Sequence, residues 1–239
     1  MEIIILAVVF FISGIVSEII GFGIATISMS ILPFILPLDV VIPLVAITAM
    51  TATGIVAFQT KSKDVFEHIT PLLIGSAIGV VIGMFFLNII EKEVLSKILS
   101  IFLISYALYS MFMKKQLIPV NNKFGILVGT LAGFFGSFIN IHGPFIGIYS
   151  SSSGNSSKED IKDMIATYIF ITGLFTVTGH TLSGRVTAEI MKYVFLSLPF
   201  LILGLIVGTK FFKGLDSNFI RYGVYIFILT AGIILLVSA

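Results

Sequence analysis

The chain has 239 residues, of which 57% are hydrophobic and only 11% are charged, and its formal net charge at pH 7 is +2. A soluble domain of this size could not bury so much apolar surface, so the composition indicates an integral membrane protein whose partner is the lipid bilayer. The small net charge and the lack of a basic patch interleaved with aromatic residues exclude a nucleic-acid partner. The chain has no cysteine, which excludes disulfides and thiolate metal sites.

Hydropathy predicts an all-α chain with about eight long apolar segments. They are roughly residues 3–38, 40–58, 69–90, 94–113, 124–149, 164–182, 190–212 and 219–238. Most are close to the ~20 residues that a helix needs to cross ~30 Å of hydrocarbon. The first residues lack a basic region and a small-residue cleavage site, so we expect the first helix to stay in the mature protein.

The first segment is too long for one crossing. As one straight helix, residues 3–38 would extend about 54 Å at 1.5 Å per residue, which ordinary tilt does not absorb. We therefore predict a hairpin that bends at Gly21-Phe22-Gly23. The fifth segment would be about 39 Å long as one helix, and its hairpin is predicted by analogy with the first.

Glycines recur in the same order in the two halves of the chain. Gly14 and Gly21 match Gly129 and Gly136 at an offset of 115 residues. At an offset of 125, the matched pairs are Gly79 with Gly204 and Gly83 with Gly208. We therefore predict two repeats, residues 1–120 and 121–239, in one transmembrane domain.

Lys and Arg distinguish two topologies. If each segment crosses once, the 14 basic residues divide equally between the two sides and give no orientation. If the first and fifth segments are hairpins, one side holds Lys61, Lys63, Lys114, Lys115, Lys123, Lys158, Lys162, Lys210, Lys213 and Arg221, and the other holds Lys92, Lys97, Arg185 and Lys192. The positive-inside rule makes the larger group cytoplasmic. We therefore predict inverted repeats, each a glycine-broken hairpin plus three transmembrane helices, in the cell membrane with both termini outside.

The glycine breaks resemble a known family. The run Ser13-Gly-Ile-Val-Ser-Glu-Ile-Ile-Gly-Phe-Gly-Ile, followed by Pro33, resembles the first-repeat signature of the TauE/SafE sulfite exporter family, and the resemblance extends over nearly the whole chain. The resemblance implies a secondary transporter of sulfite, sulfoacetate and other small sulfur-containing or organic anions. The direction of transport that it implies is export. The chain departs from the family's second signature, because Gly136 to Pro144 is longer and more polar than a compact glycine run. Glu18 stands where the family more often has a small or apolar residue.

Helix breaks also suit an anion on physical grounds. The first amide groups of a helix that begins within the membrane lack partners, and its dipole presents partial positive charge there. We expect two such helix starts to face each other and hold the substrate. The substrate-binding candidates are Gly21, Phe22, Gly23, Ser137, Asn140, His142, Gly143 and Pro144. Close helix packing is the alternative role for glycines, and it is the favoured one at Gly75, Gly79, Gly83, Gly204 and Gly208.

Four ionisable side chains bear on function or topology. Glu18 is the only acidic residue deep within an apolar segment, where a charge costs about 2.5 to 3.5 kcal/mol, so it is a candidate for proton coupling or gating, or a protonated carboxyl that bonds locally. His142 is either a substrate contact that titrates near physiological pH or a structural histidine. His180 and Arg185 fall at the outer end of the sixth segment, where we expect an ordinary interfacial placement.

Enzyme motifs are absent from the sequence, which has no Gly-x-Ser-x-Gly elbow, His-Glu-x-x-His zinc motif or phosphate loop. Three scattered histidines do not make a metal site, so we predict no metal, no cofactor and no enzyme. Without an ATP motif, transport should be driven by protons or the membrane potential. A passive anion channel is the alternative, and a membrane-embedded enzyme is a less favoured one. The sequence leaves the oligomeric state open, including a homo-oligomer.

Overall fold

The computed structural model describes residues 2–20, 23–58, 63–112, 121–152, 158–211 and 217–238. The helices are α1 Glu2–Ile20, α2 Gly23–Ile31, α3 Leu38–Ala57, α4 Lys63–Ile89, α5 Lys92–Phe112, α6 Asn122–Ile139, α7 Gly143–Ser152, α8 Lys158–Leu182, α9 Ala188–Phe211 and α10 Ser217–Ser238, with a 3₁₀ turn at Leu32–Phe34. These ranges contain no strand, which confirms the all-α prediction. Among the described helices, α3, α4, α5, α6, α8 and α9 are long and apolar enough to cross a membrane.

Large apolar side chains cover the outside of these helices. On α4 alone, Ile78 is 52% exposed, Val81 70% and Phe85 65%. An apolar surface of this kind suits hydrocarbon, and in hydrocarbon a helix satisfies its backbone groups internally. The fold is therefore that of a helical integral membrane protein.

The described chain forms two compact units, and each takes helices from both predicted repeats. Unit 1 comprises Met1–Val45, Ile89–Lys114 and Thr187–Ala239, and unit 2 comprises Ala46–Asn88 and Lys115–Val186.

In unit 1, α1 and α9 pack closely and run in the same direction. A Cβ atom added to Gly204 would overlap the carbonyl oxygen of Phe11, and one added to Gly208 would lie 3.1 Å from the Cα of Ile15. The contacts advance together along both helices, which is the pattern of a parallel pair. Small residues that let backbones approach are typical of helix pairs in membranes, so the predicted packing role of Gly204 and Gly208 is confirmed.

In unit 2, α4 and α6 form a second parallel pair of this kind. A Cβ on Gly75 would overlap the carbonyl oxygen of Ile126, and a Cβ on Gly79 would overlap that of Thr130. Gly83 lies farther along the same contact, against Phe134. The packing role predicted for these three glycines is confirmed as well.

The contacts correct the register in which the fourth helices of the two halves were aligned. Phe11 and Ile126 are 115 residues apart, and their partners Gly204 and Gly75 are 129 residues apart. The sequence alignment had paired Gly204 with Gly79 instead, one helical turn away. Because glycines recur every four residues along α4, the sequence pattern alone allows this slip.

The first interrupted segment turns back on itself in unit 1. The hydroxyl groups of Ser13 on α1 and Ser28 on α2 are 3.1 Å apart and hydrogen-bonded. A Cβ on Gly23 would lie 2.6 Å from the backbone nitrogen of Ser17. Since residues later in α2 meet residues earlier in α1, α2 runs antiparallel to α1. Gly21 and Phe22, where the bend is predicted, lie outside the described residues.

The second interrupted segment also turns back, within unit 2. The rings of Phe135 on α6 and Phe145 on α7 stack with centroids 5.6 Å apart. Farther from the break, the ring of Phe124 stacks on that of Tyr149 with centroids 6.2 Å apart. The returning arm α7 therefore lies antiparallel along α6.

The helix that follows runs forward again. On α8, Tyr168 is hydrogen-bonded to Ser76 of α4, and Gly179 lies against the side chain of Met84. These contacts make α8 parallel to α4, and α6 is parallel to α4 as well. Within unit 2, α6 and α8 thus share one direction, and α7 is the return between them.

Candidate functional site

The second helix break is built around Asn140. This residue follows the end of α6 with φ 59° and ψ 22°, and it is the one non-glycine residue with positive φ within the described ranges. Its backbone N–H donates to the carbonyl oxygen of Gly136 at 2.9 Å. Asparagine tolerates this left-handed conformation better than most residues, and it is a common alternative to glycine at a helix end. Asn140 is 2% exposed, so the chain reverses in the interior of unit 2.

The imidazole of His142 lies directly on the backbone of Gly136. A Cβ on Gly136 would overlap ring atoms Nδ1 and Cε1 of His142, so only glycine leaves space for the ring. His142 is 6% exposed and its ring is hydrogen-bonded to the backbone of Ala132. Its Nδ1 atom is buried without a hydrogen-bond partner among the described residues. The bond to Ala132 therefore uses Nε2.

The short helix α7 begins beside this histidine, at Gly143. Gly143 and Pro144 are both buried, and the first backbone bond of the helix runs from the N–H of Ile146 to the carbonyl oxygen of His142 at 3.3 Å. Proline suits a first helical turn, since its missing N–H would have no intrahelical partner there. The helix start presents the positive end of its dipole at the residue that follows His142. A helix start of this kind suits an acceptor-rich anion.

Ser137 faces another helix. Its hydroxyl donates to the carbonyl oxygen of Phe134 at 3.1 Å and lies 3.4 Å from that of Val80 on α4. Gly83 gives this hydroxyl room, because a Cβ there would overlap it. The structure thus places Ser137 in the contact between α6 and α4.

Sequence reasoning missed Tyr168, which lies behind His142. Its ring meets that of His142 edge to face with centroids 6.2 Å apart, and it is fully buried. The Tyr168 hydroxyl is hydrogen-bonded to Ser76, and the Ser76 hydroxyl also lies 3.1 Å from the carbonyl oxygen of Gly129. This network joins α4, α6 and α8. The apolar sequence around Tyr168 gave no local signal for it, since an interfacial tyrosine is the commoner reading in a membrane chain.

The first break has a different lining. Gly23 is the first residue of α2 and borders a small hollow whose lining includes the apolar side chains of Val16, Ile27 and Ile228. The serines nearby, Ser13 and Ser28, satisfy each other. Unit 1 therefore presents a mainly apolar hollow at its helix break.

Glu18 lies on α1 against α9, also in unit 1. Its carboxylate accepts a hydrogen bond from the Thr209 hydroxyl at 3.1 Å, and a Cβ on Gly208 would lie 2.9 Å from its Cβ. The side chain is partly exposed. The structure thus places Glu18 in the contact between the two parallel helices.

His180, which the sequence places at the outer end of a membrane segment, has its side chain buried inside unit 2. His180 is 0% exposed, and neither ring nitrogen has a hydrogen-bond partner among the described residues. Arg185 lies at the end of this region, where its guanidinium donates to the carbonyl oxygen of Leu87 at 2.9 Å and to Oδ1 of Asn88 at 2.8 Å. The hydropathy of the segment could not separate a buried histidine near a helix end from an interfacial one.

No group of three His, Asp or Glu side chains that could hold a metal ion occurs within the described ranges. The candidate site therefore consists of a helix start, an imidazole and a buried tyrosine network. Its chemistry is that of binding by hydrogen bonds and of proton exchange at a ring nitrogen.

Apolar outer surfaces and several helices of membrane-spanning length define a multi-pass helical membrane protein. The sequence model of one family, described as sulfite exporter TauE/SafE, matches residues 6–235. The chain belongs to this family, whose members are membrane transporters of the sulfite-exporter type, and the resemblance of its glycine signature is thereby confirmed. Searches of curated proteins and of solved structures gave no match.

Proposed function

We propose that the protein is a secondary transporter that exports small anions such as sulfite, sulfoacetate or related organosulfonates and carboxylates. Family membership supports the transporter class. The observation that carries the anion is the α6–α7 break, where a buried helix start lies beside the unpartnered Nδ1 of His142. Oxyanion oxygens accept hydrogen bonds from free backbone amides at such a helix start.

The tautomer of His142 links anion binding to protons. Because Nε2 is hydrogen-bonded to the backbone of Ala132, a neutral imidazole donates there and leaves Nδ1 as an acceptor. An anion offers acceptors, so it needs a proton at Nδ1 or a proton of its own, as in hydrogen sulfite. The proposed site therefore takes up an anion and a proton together, so the flux of the anion should depend on the proton gradient across the membrane.

Repeated contacts support the proposal of an inverted repeat. Each half supplies five helices, and in each unit the long hairpin arm of one half packs on the fourth helix of the other half. If every helix reverses the direction of the one before it, five helices per half start the second half in the opposite direction. Alternating access around the two broken hairpins is the transport mode that such repeats favour.

The proposed topology places both termini outside the cell membrane. The chain has no native cysteine, so single cysteines added at the two ends can be labelled in intact cells with a membrane-impermeant reagent. Both ends are expected to react. A carboxyl terminus that reacts only after permeabilisation contradicts the topology.

Glu18 enters the proposal as a coupling or gating residue. It bonds to Thr209 across the contact between α1 and α9, and a buried or lipid-facing carboxylate is costly in a membrane. Movement of α1 against α9 would break this bond. Glu18 is therefore placed to report on, or hold, the position of the first hairpin.

The test of function is flux in proteoliposomes. Sulfite, sulfoacetate, sulfate and small carboxylates are compared with and without a proton gradient, and empty liposomes serve as the control. Accumulation of one of these anions against its own gradient, driven by protons, supports the proposal. Fast downhill flux that does not saturate indicates a passive channel, and no flux of any of these anions overturns the substrate class.

A further inference from the structure

Helix α8 carries a buried row of polar side chains at four-residue spacing. The row consists of Tyr168, Thr172, Thr176 and His180, and each of them is at most 1% exposed. Residues four apart lie on one face of a helix, so the row follows one ridge of α8. Over its 12 residues it extends about 18 Å at 1.5 Å per residue. A polar ridge of this length inside a membrane protein is costly and is therefore a functional candidate.

The two ends of the row differ in how their polar atoms are satisfied. At one end, Tyr168 is hydrogen-bonded to Ser76, and the hydroxyl of Thr172 donates to the carbonyl oxygen of Tyr168 at 2.7 Å. At the other end, Oγ1 of Thr176 and both ring nitrogens of His180 are buried without partners among the described residues. Buried polar atoms in proteins are nearly always bonded to protein or to ordered water. Three orphan atoms one turn apart thus indicate a bound group.

Water fits these atoms better than an anion does. A neutral imidazole has one donor and one acceptor nitrogen, and a threonine hydroxyl donates and accepts. An anion only accepts, so it would leave the acceptor nitrogen of His180 unpaired. A water molecule needs two to four polar partners, and Thr176 with His180 supplies three polar atoms of both kinds.

The row also connects two places of interest. Tyr168, at the satisfied end of the row, meets the ring of His142. The unsatisfied end lies close to Arg185, whose backbone N–H donates to the carbonyl oxygen of His180 at 2.9 Å. Arg185 is the charged group that acts electrostatically on His180. Residues 46–57 of α3 and 69–89 of α4 beside α8 contain no Asp, Glu, Lys, Arg or His, whereas α6 and the break after it, also packed on α8, carry Lys123 and His142.

We propose that Thr176 and His180 bind water inside unit 2 and that His180 exchanges protons with this water. In each exchange, His180 accepts a proton from hydronium at its free ring nitrogen, which leaves water, and it returns a proton to a water molecule, which becomes hydronium. This inference rests on the proposed function, because proton exchange matters only if transport moves protons.

Hydration is tested first, without transport. Cysteine replaces single residues in the naturally cysteine-free chain, and a small membrane-permeant thiol reagent is applied. Thr176→Cys is expected to react about tenfold faster or more than Thr172→Cys, since a thiol in dry apolar surroundings is inert. Thr172 is the matched control because it lies one turn away on the same ridge and its hydroxyl is satisfied. Equal, slow reaction at both positions overturns the bound water.

Proton transfer is tested in proteoliposomes with an internal pH dye. His180→Gln retains hydrogen bonding without titration, and Thr176→Val removes only the hydroxyl; Thr178→Val is the control because Thr178 is exposed on the same helix. Proton uptake per transported anion should be lost in the first variant, reduced in the second and unchanged in the third. Full proton uptake in His180→Gln overturns the proton exchange at His180. Fast labelling of Thr176→Cys, together with no anion flux in the wild-type protein, would instead refute the proposed function and leave the hydration intact.

Discussion

Unit 1 packs the long arm of the first hairpin on α9, and unit 2 packs the long arm of the second hairpin on α4, through glycines in equivalent positions. A third pair completes the set, since a Cβ on Gly14 would lie 2.5 Å from the carbonyl oxygen of Leu201 and a Cβ on Gly129 would overlap that of Leu72. In every pair the hairpin residues differ by 115 and the fourth-helix residues by 129. The same contact is therefore made twice, with the contributions of the two halves exchanged.

The buried polar groups are not shared in this way. In unit 1 the paired hydroxyls of Ser13 and Ser28 satisfy each other, and Ser197 has the one orphan side-chain atom found in its described part. In unit 2, His142, Thr176 and His180 all bury polar atoms without partners among the described residues. The close helix packing is therefore common to both units, while most of the buried polar atoms without partners among the described residues lie in unit 2.

The largest effect is expected where the shared packing is broken. Gly75→Val in unit 2 and Gly204→Val in unit 1 each drive a side chain into a backbone carbonyl of the neighbouring helix. Overpacking a core costs about 1 to 3 kcal/mol and sometimes more, and backbone can shift less than side chains can. Both variants should therefore lose folded protein, measured as monodisperse yield and thermal unfolding in detergent.

Gly223→Val is the control for these two variants. Gly223 lies on α10 with no described heavy atom within 4 Å of the position of an added Cβ, so this variant should fold normally. If Gly75→Val unfolds the protein while Gly204→Val does not, the two units do not depend equally on the shared contact. That result would contradict the equivalence of the two helix pairs.

The next largest effect concerns His142, which has a role in unit 2 only. His142→Leu removes the group that we propose to contact the anion, and a hydrogen bond to a charged group contributes about 1.5 to 3 kcal/mol. Since 1.4 kcal/mol is tenfold in affinity, the substrate concentration for half-maximal flux should rise about tenfold or more. Sulfite flux at a series of concentrations measures it.

His142→Asn is the matched variant. Its amide can donate near the position of Nδ1 but cannot titrate, so it should recover part of the affinity and lose the dependence on the proton gradient. Unchanged half-saturation in His142→Leu would remove His142 from the site and return it to a structural role on Gly136.

Much of the fold could be predicted from sequence because membrane helices follow simple rules. Segment length predicted the first interruption, the second was predicted by analogy with it, and the glycines at four-residue spacing predicted close packing, as Gly75 and Gly204 show. The register between the halves could not be fixed, because a glycine row with a four-residue period looks the same after a shift of one turn. Only the partner of each glycine, such as Ile126 for Gly75, decides it.

The site was less predictable. Asn140, His142 and Gly143 stood out as polar or helix-breaking residues in an apolar run, and the structure brings them together at one break. The sequence did not single out Tyr168, and it did not predict that His180 is buried, since hydropathy reports composition and not the face of a helix that becomes buried. The row on α8 has a four-residue period that is visible in the sequence, but its burial is a tertiary property.

A smaller effect is expected at Glu18, the acidic side chain in the contact between α1 and α9. Glu18→Gln keeps a hydrogen-bonding group opposite Thr209 and removes the charge, so the protein should fold. If Glu18 is a gate, the rate of flux changes while the number of protons per anion stays the same, as measured with the internal pH dye. A changed proton number would move the coupling role to unit 1. Thr209→Val removes the same bond from the other side and should reproduce the change in rate.

The smallest effect is expected for the serine pair of the first hairpin. Ser28→Ala breaks one hydrogen bond and leaves Ser13 without its partner, and such a bond contributes about 0.5 to 1.5 kcal/mol. A double-mutant cycle with Ser13→Ala should give a coupling energy of this size from unfolding in detergent. Sulfite half-saturation should not move in any of these variants, because in unit 1 the polar groups at the break already satisfy each other. A rise comparable to that of His142→Leu would show that the first break binds the anion as well, and the asymmetry between the units would be lost.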